Sequence, residues 1–521
     1  MTPAQGLMSS TQPQPGIPAG PAGRTTPAPA DRAFEVAGKR CYLLGIGGCG
    51  MSALARMLRA RGAIVSGSDA YPSPVTEGLR FEGVPVEFDQ HSGVLPDDAQ
   101  LVIVSAAIKP DNPQLAAAMN RGLQVFTYAE ALGRCMLGRT GVALAGTHGK
   151  STTTAMLGVA LAAAGLDPTV IVGASCPQLS TDGRTPTGFR LGADAIPRGE
   201  LKGKPGLLLA EACEFNRSFH NLHPTVGSIS SVEADHLDIY GSLDAVVEAF
   251  HQFALLLPPE SEGGRLIIAH TDAHRREVTA GVRCAVETIG FAPGADWHID
   301  FNHDQRRVTL SRRQDPVASW LLPLPGEHMA FNSAMACALA VSLGADPARV
   351  ADALQGFTGV ERRMQLLGHR KVDGGTVKVY DDYGHHPTEV EATLRALREF
   401  ERPETLSPPG RLICVFQPHQ HSRTRFLLEE FAQAFSQADA VIVPHIYFVR
   451  DSEIEKSKVS AADLVDRLRK RGVQAMHLYP FEAIVEHLEI LCRPNDLVVV
   501  MGAGPVWQVA HEYFRTAPSA R

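Results

Sequence analysis

Six consecutive residues, Gly146-Thr147-His148-Gly149-Lys150-Ser151, put flexible backbone, a cation and hydroxyls in the order a phosphate loop needs. The apolar run Val142–Ala145 precedes them, and a helical stretch through LGVALAAAG, stopping at Gly165, follows. Glycines let successive N–H groups converge on a phosphate, and a helix N-terminus adds favourable partial charge. In that setting Lys150 reaches the outer phosphates of a nucleoside triphosphate, and Ser151 or Thr152 offers a hydroxyl to Mg²⁺. A capped glycine turn with a solvated lysine is the simpler alternative, but it explains neither the strand before nor the helix after.

A second glycine-rich run, Gly45-Ile46-Gly47-Gly48-Cys49-Gly50, matches G-x-G-x-x-G, again between a strand and a helix. Asp69 follows 19 residues after Gly50, at the end of a strand expected at Ala63–Ser66, where a dinucleotide fold keeps its ribose-binding carboxylate. By itself this run points to a nucleotide phosphate without saying which nucleotide. NAD is one answer, and a tight turn with close helix packing is another.

Three further groups carry chemistry. The apolar run LLLAEACEF (Leu207–Phe215) ends a strand at Glu211, a suitable place for a metal-binding carboxylate beside a phosphate loop, and Ser231–Asp238 adds Glu233, Asp235 and His236. Tyr380–Thr388 packs Asp381, Asp382, His385 and His386 into one segment. Neighbours on an extended chain face opposite ways, so a nucleotide or carboxylate contact loop suits it better than a shared metal. Phe416–Arg425 follows the apolar strand Ile413–Phe416 and brings Arg423, whose planar fork can hold a carboxylate with two hydrogen bonds; a solvated arginine at a helix start is the alternative.

The elements that must position these residues alternate strand and helix, which predicts parallel sheets flanked by helices. Met51, Leu54, Ala55 and Leu58 form one apolar stripe on the first helix, and Gly62 ends it. A third alternating region starts at Thr376–Tyr380 and closes with Leu497–Gly504. Chain length alone calls for about two to four domains. Boundaries are expected near residues 136 and 356, giving units at 37–135, 136–356 and 357–521 behind a tail ending between residues 33 and 36. The tail is Pro-, Gly-, Ala-, Thr- and Gln-rich with few large apolar residues, so it is expected to be disordered, with order beginning near Phe34.

A formal charge of −7 gives no electrostatic footprint for nucleic acid or an anionic membrane. No apolar run nears the roughly 20 residues that span a bilayer, and MTPAQGLMSSTQPQPG has no apolar signal core. Nine scattered cysteines without a CxxC pair suit a reducing compartment, so a cytoplasmic location is expected.

Taken in order, GIGGCGM, SAAIKPDNPQL, GTHGKSTTT, VEADHLDIY, GEHMAFN, GVERRMQLLG, DDYGHHPTEV, FQPH and GAGPVW resemble the Mur ligases over nearly all of residues 38–512. The resemblance implies an α/β fold of three domains. An N-terminal Rossmann-like unit holds a UDP-sugar, a central P-loop ATPase is built on a parallel sheet, and a C-terminal Rossmann-like unit adds amino-acid and ATP contacts. The GIGGCGM and DDYGHHPTE elements favour the member that joins L-alanine to UDP-N-acetylmuramate, and the first glycine loop then cradles the UDP diphosphate.

By position, the resemblance implies that Gly146 to Thr152 hold ATP, that Lys150 contacts its phosphates, and that Ser151, Thr152 and Glu211 bind Mg²⁺, with His236 on a second ion. Asn332, Arg363 and Asp382 hold the adenine nucleotide, and Arg423 pairs with the incoming carboxylate. Substrate contacts are implied at Gly45, Gly47, Gly48, Gly50, Asp69, Ser105 and His386. Three segments depart from the family pattern: Cys213 replaces an acid between Glu211 and Glu214, Met329 follows His328 where Asn is usual, and Gln420-His421 replace Arg-Tyr. A murein-peptide recycling ligase shares most of these motifs, and a nucleotide-binding regulator without catalysis is the reading from another class. Folylpolyglutamate synthase shares the central unit but is expected to lack the N-terminal UDP-binding one, so GIGGCGM argues against it.

Overall fold

Each glycine loop sits where a buried strand turns into a helix. In the computed structural model, which describes residues 34–180, 187–449 and 451–515, the strand Arg40–Leu44 buries four of its five residues and runs through Gly45–Gly48 into the helix Cys49–Ala60. The N-terminal segment expected to be disordered lies outside the described residues, apart from its last few positions.

Arg40–Leu44 is the central strand of a five-stranded parallel sheet, between Ile64–Ser68 and Leu101–Val104, with Val86–Glu87 and Gln124–Thr127 at the edges. Strand order reverses direction at Arg40–Leu44, and in open α/β sheets ligands bind in the crevice beyond the carboxyl ends at such a point. The second strand runs Ile64–Ser68, slightly later than expected, so Asp69 directly follows it.

The second sheet has ten strands, and Thr140–Ala145 lies in its interior, paired in parallel with Leu207–Glu211 on one side and Val226–Ile229 on the other. Here the structure differs from the expectation of a parallel sheet: both edges are antiparallel. Arg307–Arg312 pairs antiparallel with Trp297–Asn302 and Asp315–Leu321, and Thr187–Arg190 with Thr169–Cys176. The physical reason is burial. Leu207–Leu209 and Val226–Ile229 are covered on both faces, the first a continuous apolar run, whereas Arg307–Arg312 alternates buried Val308 and Leu310 with accessible polar residues.

The third sheet has six strands. Gly375–Asp382 pairs antiparallel with Gln365–Val372 at the edge and parallel with Leu497–Met501; Leu412–Phe416, Ala440–Val443 and Gln474–His477 continue in parallel. The strand runs two residues past the expected Tyr380, which buries Asp381 and Asp382 at its carboxyl end.

One apolar core crosses from the first sheet to the second: Leu54, Leu58 and Leu132 belong to the same buried cluster as Phe219, Phe250 and Phe253. Gly133 lies so close to the backbone of Asn221 that a β-carbon there would overlap its carbonyl, so the helix Tyr128–Met136 packs directly on the central unit. The third unit has its own cores on both faces of its sheet, including Phe416, Phe431 and Phe435 on one and Val379, Val415 and Tyr513 on the other.

Candidate active site

The first loop closes on an acid. The Gly47 N–H donates to Asp69 Oδ2 at 2.7 Å, and a β-carbon on Gly47 would lie 2.8 Å from that oxygen and 2.7 Å from Thr76 Cγ2. Only glycine allows that approach. Asp69 Oδ1 accepts from the Ala70 N–H, Ser105 lies against Gly45 at the end of the neighbouring strand, and Tyr128 covers Gly50. The structure thus brings together Gly45, Gly47, Gly48, Gly50, Asp69 and Ser105. The Tyr128 phenol is pushed up by burial first and then by the charge of Glu211 at the end of a strand in the second sheet.

The second loop closes on a cation. Lys150 Nζ donates to the carbonyls of Gly146 and Thr147 at 2.6 and 3.0 Å and to Glu214 Oε1 at 3.0 Å. Burial alone would lower the Lys150 pKa, but the Glu214 carboxylate and its neighbours outweigh that and raise it. Thr147 N–H donates to the Ser231 carbonyl, and the Ser231 hydroxyl accepts from His148 N–H, which pins the loop to the chain beyond Val226–Ile229. Gly149 has φ +79°, and a β-carbon there would lie 2.5 Å from Asn332 Oδ1, so the helix Glu327–Ser342 presses its asparagine against the loop.

Beside Lys150 stand two sets of possible metal ligands. Ser151 Oγ lies 3.0 Å from both oxygens of Glu211, and Glu211 also accepts from Gly173 N–H at 2.9 Å. A hydroxyl and a carboxylate sharing one spot is a hard oxygen set suited to Mg²⁺. Thr152 follows, buried in the first turn of the helix. His236 joins a different set, with Glu214 and Asp235, whose ligand atoms all lie within 4.8 Å of one another.

Arg423 meets that second set. Its Nε and Nη2 donate to Asp235 Oδ1 at 3.1 and 2.7 Å, its Nη2 lies 3.4 Å from His236 Nδ1, and its Nη1 lies 3.2 Å from His419 Nδ1. Burial would raise the Asp235 carboxyl, but the Arg423 guanidinium, followed by His236, holds it well below the usual range. One edge of the fork is therefore spent on the central unit.

A cavity of about 240 Å³ opens on the other side of the loop, lined by His148, Gly149, Ser151, Asn332, Arg363 and Asp382 together with Met329, Phe331 and Ala392. Asp382 accepts from Met364 N–H at 2.7 Å and Gly384 N–H at 2.6 Å; burial pushes its carboxyl up to about 6 despite the opposing charge of Arg363. Arg363 lies over the Tyr383 ring, 4.9 Å from its centroid. His328 also lines the cavity, and burial lowers it to about 4, so it is neutral. His386 does not join the first loop. It caps the helix Pro387–Glu401 at the junction with His148, their ring centroids 4.8 Å apart.

Sequence reasoning passed over Glu214 and Glu389. Glu214 survives from an acidic run interrupted by Cys213, and its spacing of three from Glu211 was the available signal. Glu389 sits three residues beyond His386, the capping-box spacing; its Oε2 accepts from His385 and His386 N–H while Oε1 lies 3.2 Å from His148 Nδ1. Burial would raise Glu389, but His385, His148 and Arg363 hold it well below the carboxylate norm. Burial would lower His148, and its bonds to Glu233 and Glu389 instead raise it to about 9. Backbone strain gathers at the same place: His236, Arg362, Met364 and Gln420 all have left-handed φ between 48° and 67°.

Comparison with known proteins agrees with this layout. Three family models match in order: "Mur ligase family, catalytic domain" over residues 40–140, "Mur ligase middle domain" over 144–340, and "Mur ligase, glutamate ligase domain" over 362–504. The UDP-N-acetylmuramate–L-alanine ligase of Kineococcus radiotolerans is 38% identical over 479 residues, 91% of this chain and 95% of that protein. The protein of the same name from Rubrobacter xylanophilus is 36% identical over 485 residues, covering 91% and 99%. Among solved structures, the UDP-N-acetylmuramate-alanine ligase of Thermotoga maritima superposes with a TM-score of 0.71 at 24% identity, and a murein peptide ligase of Psychrobacter arcticus with 0.68 at 24%; each comparison covers 91% of this chain and 98% of the other. Three loop-bearing sheets in this order, matched along the chain by these models and relatives, establish that the chain belongs to the Mur ligase family.

Proposed function

We propose that this protein joins L-alanine to the carboxylate of UDP-N-acetylmuramate at the expense of ATP, an amide-forming step in peptidoglycan precursor synthesis. The observation that carries the reading is the arrangement around Lys150: a phosphate loop beside the hard oxygen ligands Ser151 and Glu211, a second acidic set held by Arg423, and a further glycine loop on a separate sheet. The units divide near residues 136 and 356, each sheet supplying the carboxyl ends of its strands.

In this reading the cavity beside Gly149 takes the nucleotide. Met329, Phe331 and Ala392 give a base an apolar wall, while Asn332, Asp382 and Arg363 supply polar contacts. Lys150 leaves Glu214 and the loop carbonyls and follows the γ-phosphoryl group. Its contacts in the structure are to acceptors that a phosphate oxygen can replace. The UDP-sugar lies across Gly45–Gly50 with Asp69 and Ser105, its carboxylate directed towards Glu211. Carboxylate oxygen attacks the γ-phosphorus, ADP leaves, and an acyl phosphate results; the alanine amine then attacks the acyl carbon and phosphate departs. Positioning and charge neutralisation supply nearly all of the catalysis in such a transfer. Mg²⁺, held by Ser151, Thr152 and Glu211 with His236 on a second ion, would neutralise phosphate charge.

Arg423 receives the alanine carboxylate on the edge not engaged by Asp235. His386 serves the nucleotide side of the site. Among the described residues no helix is long and apolar enough to cross a membrane, and we place the protein in the cytoplasm, where its nine cysteines remain thiols. The test is phosphate release with UDP-N-acetylmuramate, ATP and Mg²⁺, comparing L-alanine with an L-alanyl-γ-D-glutamyl peptide. L-alanine is expected to give the higher rate. A higher rate with the peptide would assign a recycling ligase instead.

A further inference from the structure

The junction between the phosphate loop and the C-terminal unit holds a cluster of possible metal ligands to which the ligase reading assigns no metal. His148, Glu233 and His386 each offer a ligand atom, and these atoms all lie within 4.8 Å of one another. His148 Nε2 is 3.4 Å from Glu233 Oε2, and His386 Nδ1 is 4.0 Å from the same oxygen. A tetrahedral zinc ion with bonds of about 2.0–2.1 Å sets its ligand atoms roughly 3.3 Å apart. The two separations from Glu233 exceed that by less than an ångström.

The surroundings are those of a prepared site. Glu389 Oε1 lies 3.2 Å from His148 Nδ1, which orients Nε2 towards Glu233, and the Thr388 hydroxyl donates to Glu233 Oε2 at 2.8 Å. Metal-binding imidazoles are commonly fixed this way by a carboxylate on the far nitrogen. An independent observation concerns His386 itself. Its side chain is 6% exposed, yet its Nε2 has no hydrogen-bond partner. Buried ring nitrogens are ordinarily paired, and a half-turn of the His386 ring presents either nitrogen to Glu233.

Two imidazoles and one carboxylate, with a fourth position open to the cavity, suit Zn²⁺ and discriminate against Mg²⁺, which prefers an octahedron of oxygens. We propose that His148, Glu233 and His386 form a transition-metal site, selective for Zn²⁺ and separate from the oxygen set at Ser151 and Glu211, whose occupant pins the phosphate loop to the helix Pro387–Glu401 and excludes nucleotide. The incoming ion replaces the proton that His148 shares with its carboxylate neighbours, and that proton passes to solvent. His148 and Glu233 both line the nucleotide cavity, so a metal between them obstructs it. The binding half of the proposal stands apart from the ligase reading; the inhibitory half rests on it.

The experiment uses the full-length protein, stripped with a chelator and free of nucleotide, titrated with Co²⁺ as a spectroscopic probe and then Zn²⁺. The parent should develop the visible absorption of tetrahedral cobalt, discharged by one equivalent of Zn²⁺ but not by about a thousandfold excess of Mg²⁺. Glu233→Gln and His386→Gln should lose the band, and His236→Gln, altered only in the other cluster, should keep it. His386→Asn keeps a helix-capping side chain, so it serves if His386→Gln fails to fold. Zn²⁺ should weaken ATP binding at least about tenfold in the parent and not in the His386 variants. A parent without the band, or a band surviving in the folded Glu233 and His386 variants, overturns the site. Zinc binding as described without any L-alanine-dependent phosphate release upholds the site and removes the ligase reading.

Discussion

The two glycine loops are built alike and wired differently. Both leave a buried interior strand of a sheet, both run into a helix of a dozen or more residues, and both tolerate no side chain at a key glycine. In the first, the acid Asp69 accepts from the Gly47 N–H; in the second, the cation Lys150 donates to the loop's own carbonyls and to Glu214. Glycine spacing thus specifies how closely the backbone can be approached, while the charge brought by other strands decides what may approach. A loop closed by an acid suits a ligand that must be placed, and a loop closed by a movable cation suits one whose charge must be stabilised as it shifts.

The largest expected effect separates these roles. Lys150→Ala should lower turnover by about a thousandfold or more while leaving UDP-sugar affinity within a factor of a few, because the lysine acts where charge develops. Stopped-assay phosphate release and equilibrium binding measure the two quantities. Near-normal turnover in the folded variant would remove the distinction between the loops. Next comes Glu211→Gln, which keeps shape but loses the anionic ligand beside Ser151; the Mg²⁺ concentration for half-maximal rate should rise at least about tenfold. His236→Ala should do so more mildly. Identical Mg²⁺ titrations for both variants and the parent would move the metal elsewhere.

Arg423 tests whether the third unit places substrate or only holds the second. Losing a charged hydrogen bond is worth about 1.5–3 kcal/mol, so Arg423→Lys should raise the KM for L-alanine roughly tenfold to a hundredfold and leave that for ATP nearly unchanged. A fall in kcat with an unchanged alanine KM would make Arg423 a bridge to Asp235 and nothing more. The junction at His148 yields a pH effect. Its folded pKa of about 9 stands above the ordinary 6.5, so its contribution to stability is complete below 6.5 and is lost as pH rises through 9. The melting temperature should fall by a few degrees across that window, and His148→Asn should flatten the slope; a parent that melts equally at both ends would contradict the pairing with Glu233 and Glu389.

Sequence pattern reached the backbone of this site more fully than its charges. The strand–glycine–helix units, the strand ending in Glu211 and the strand before the Phe416–Arg425 segment are local patterns of burial and turn chemistry, and they were legible. The antiparallel edge at Trp297–Leu321 was not, because it is a meander whose strands pair with one another through their turns, outside the strand–helix alternation that marks the parallel strands. The partner of Arg423 lies 188 residues away, and Glu389 meets His148 across 241. Such pairings follow from how whole units pack, which no spacing within one segment records. Glu214 was hidden for another reason: beside a substituted Cys213 it looked like a remnant, and only the position of Lys150 shows that it bears a charge partner.

The smallest expected effect falls on the first loop and closes the comparison. Asp69→Asn keeps an oxygen that can accept from the Gly47 N–H, so the loop should hold its shape. What it removes is a negative charge beside a loop expected to take a diphosphate and its sugar. If Asp69 contacts a ribose hydroxyl, losing the stronger acceptor weakens the UDP-sugar by less than about tenfold, since one hydrogen bond to a charged group is at stake. If Asp69 serves only to seal the loop, relieving its repulsion with the diphosphate should tighten the UDP-sugar instead. In both cases kcat should stay within a factor of two or so, because Asp69 stands on a different sheet from the transferring phosphoryl group. The sign of the KM change tells the two roles apart. A large fall in kcat would join Asp69 to the chemistry and end the contrast between a loop that places and a loop that reacts.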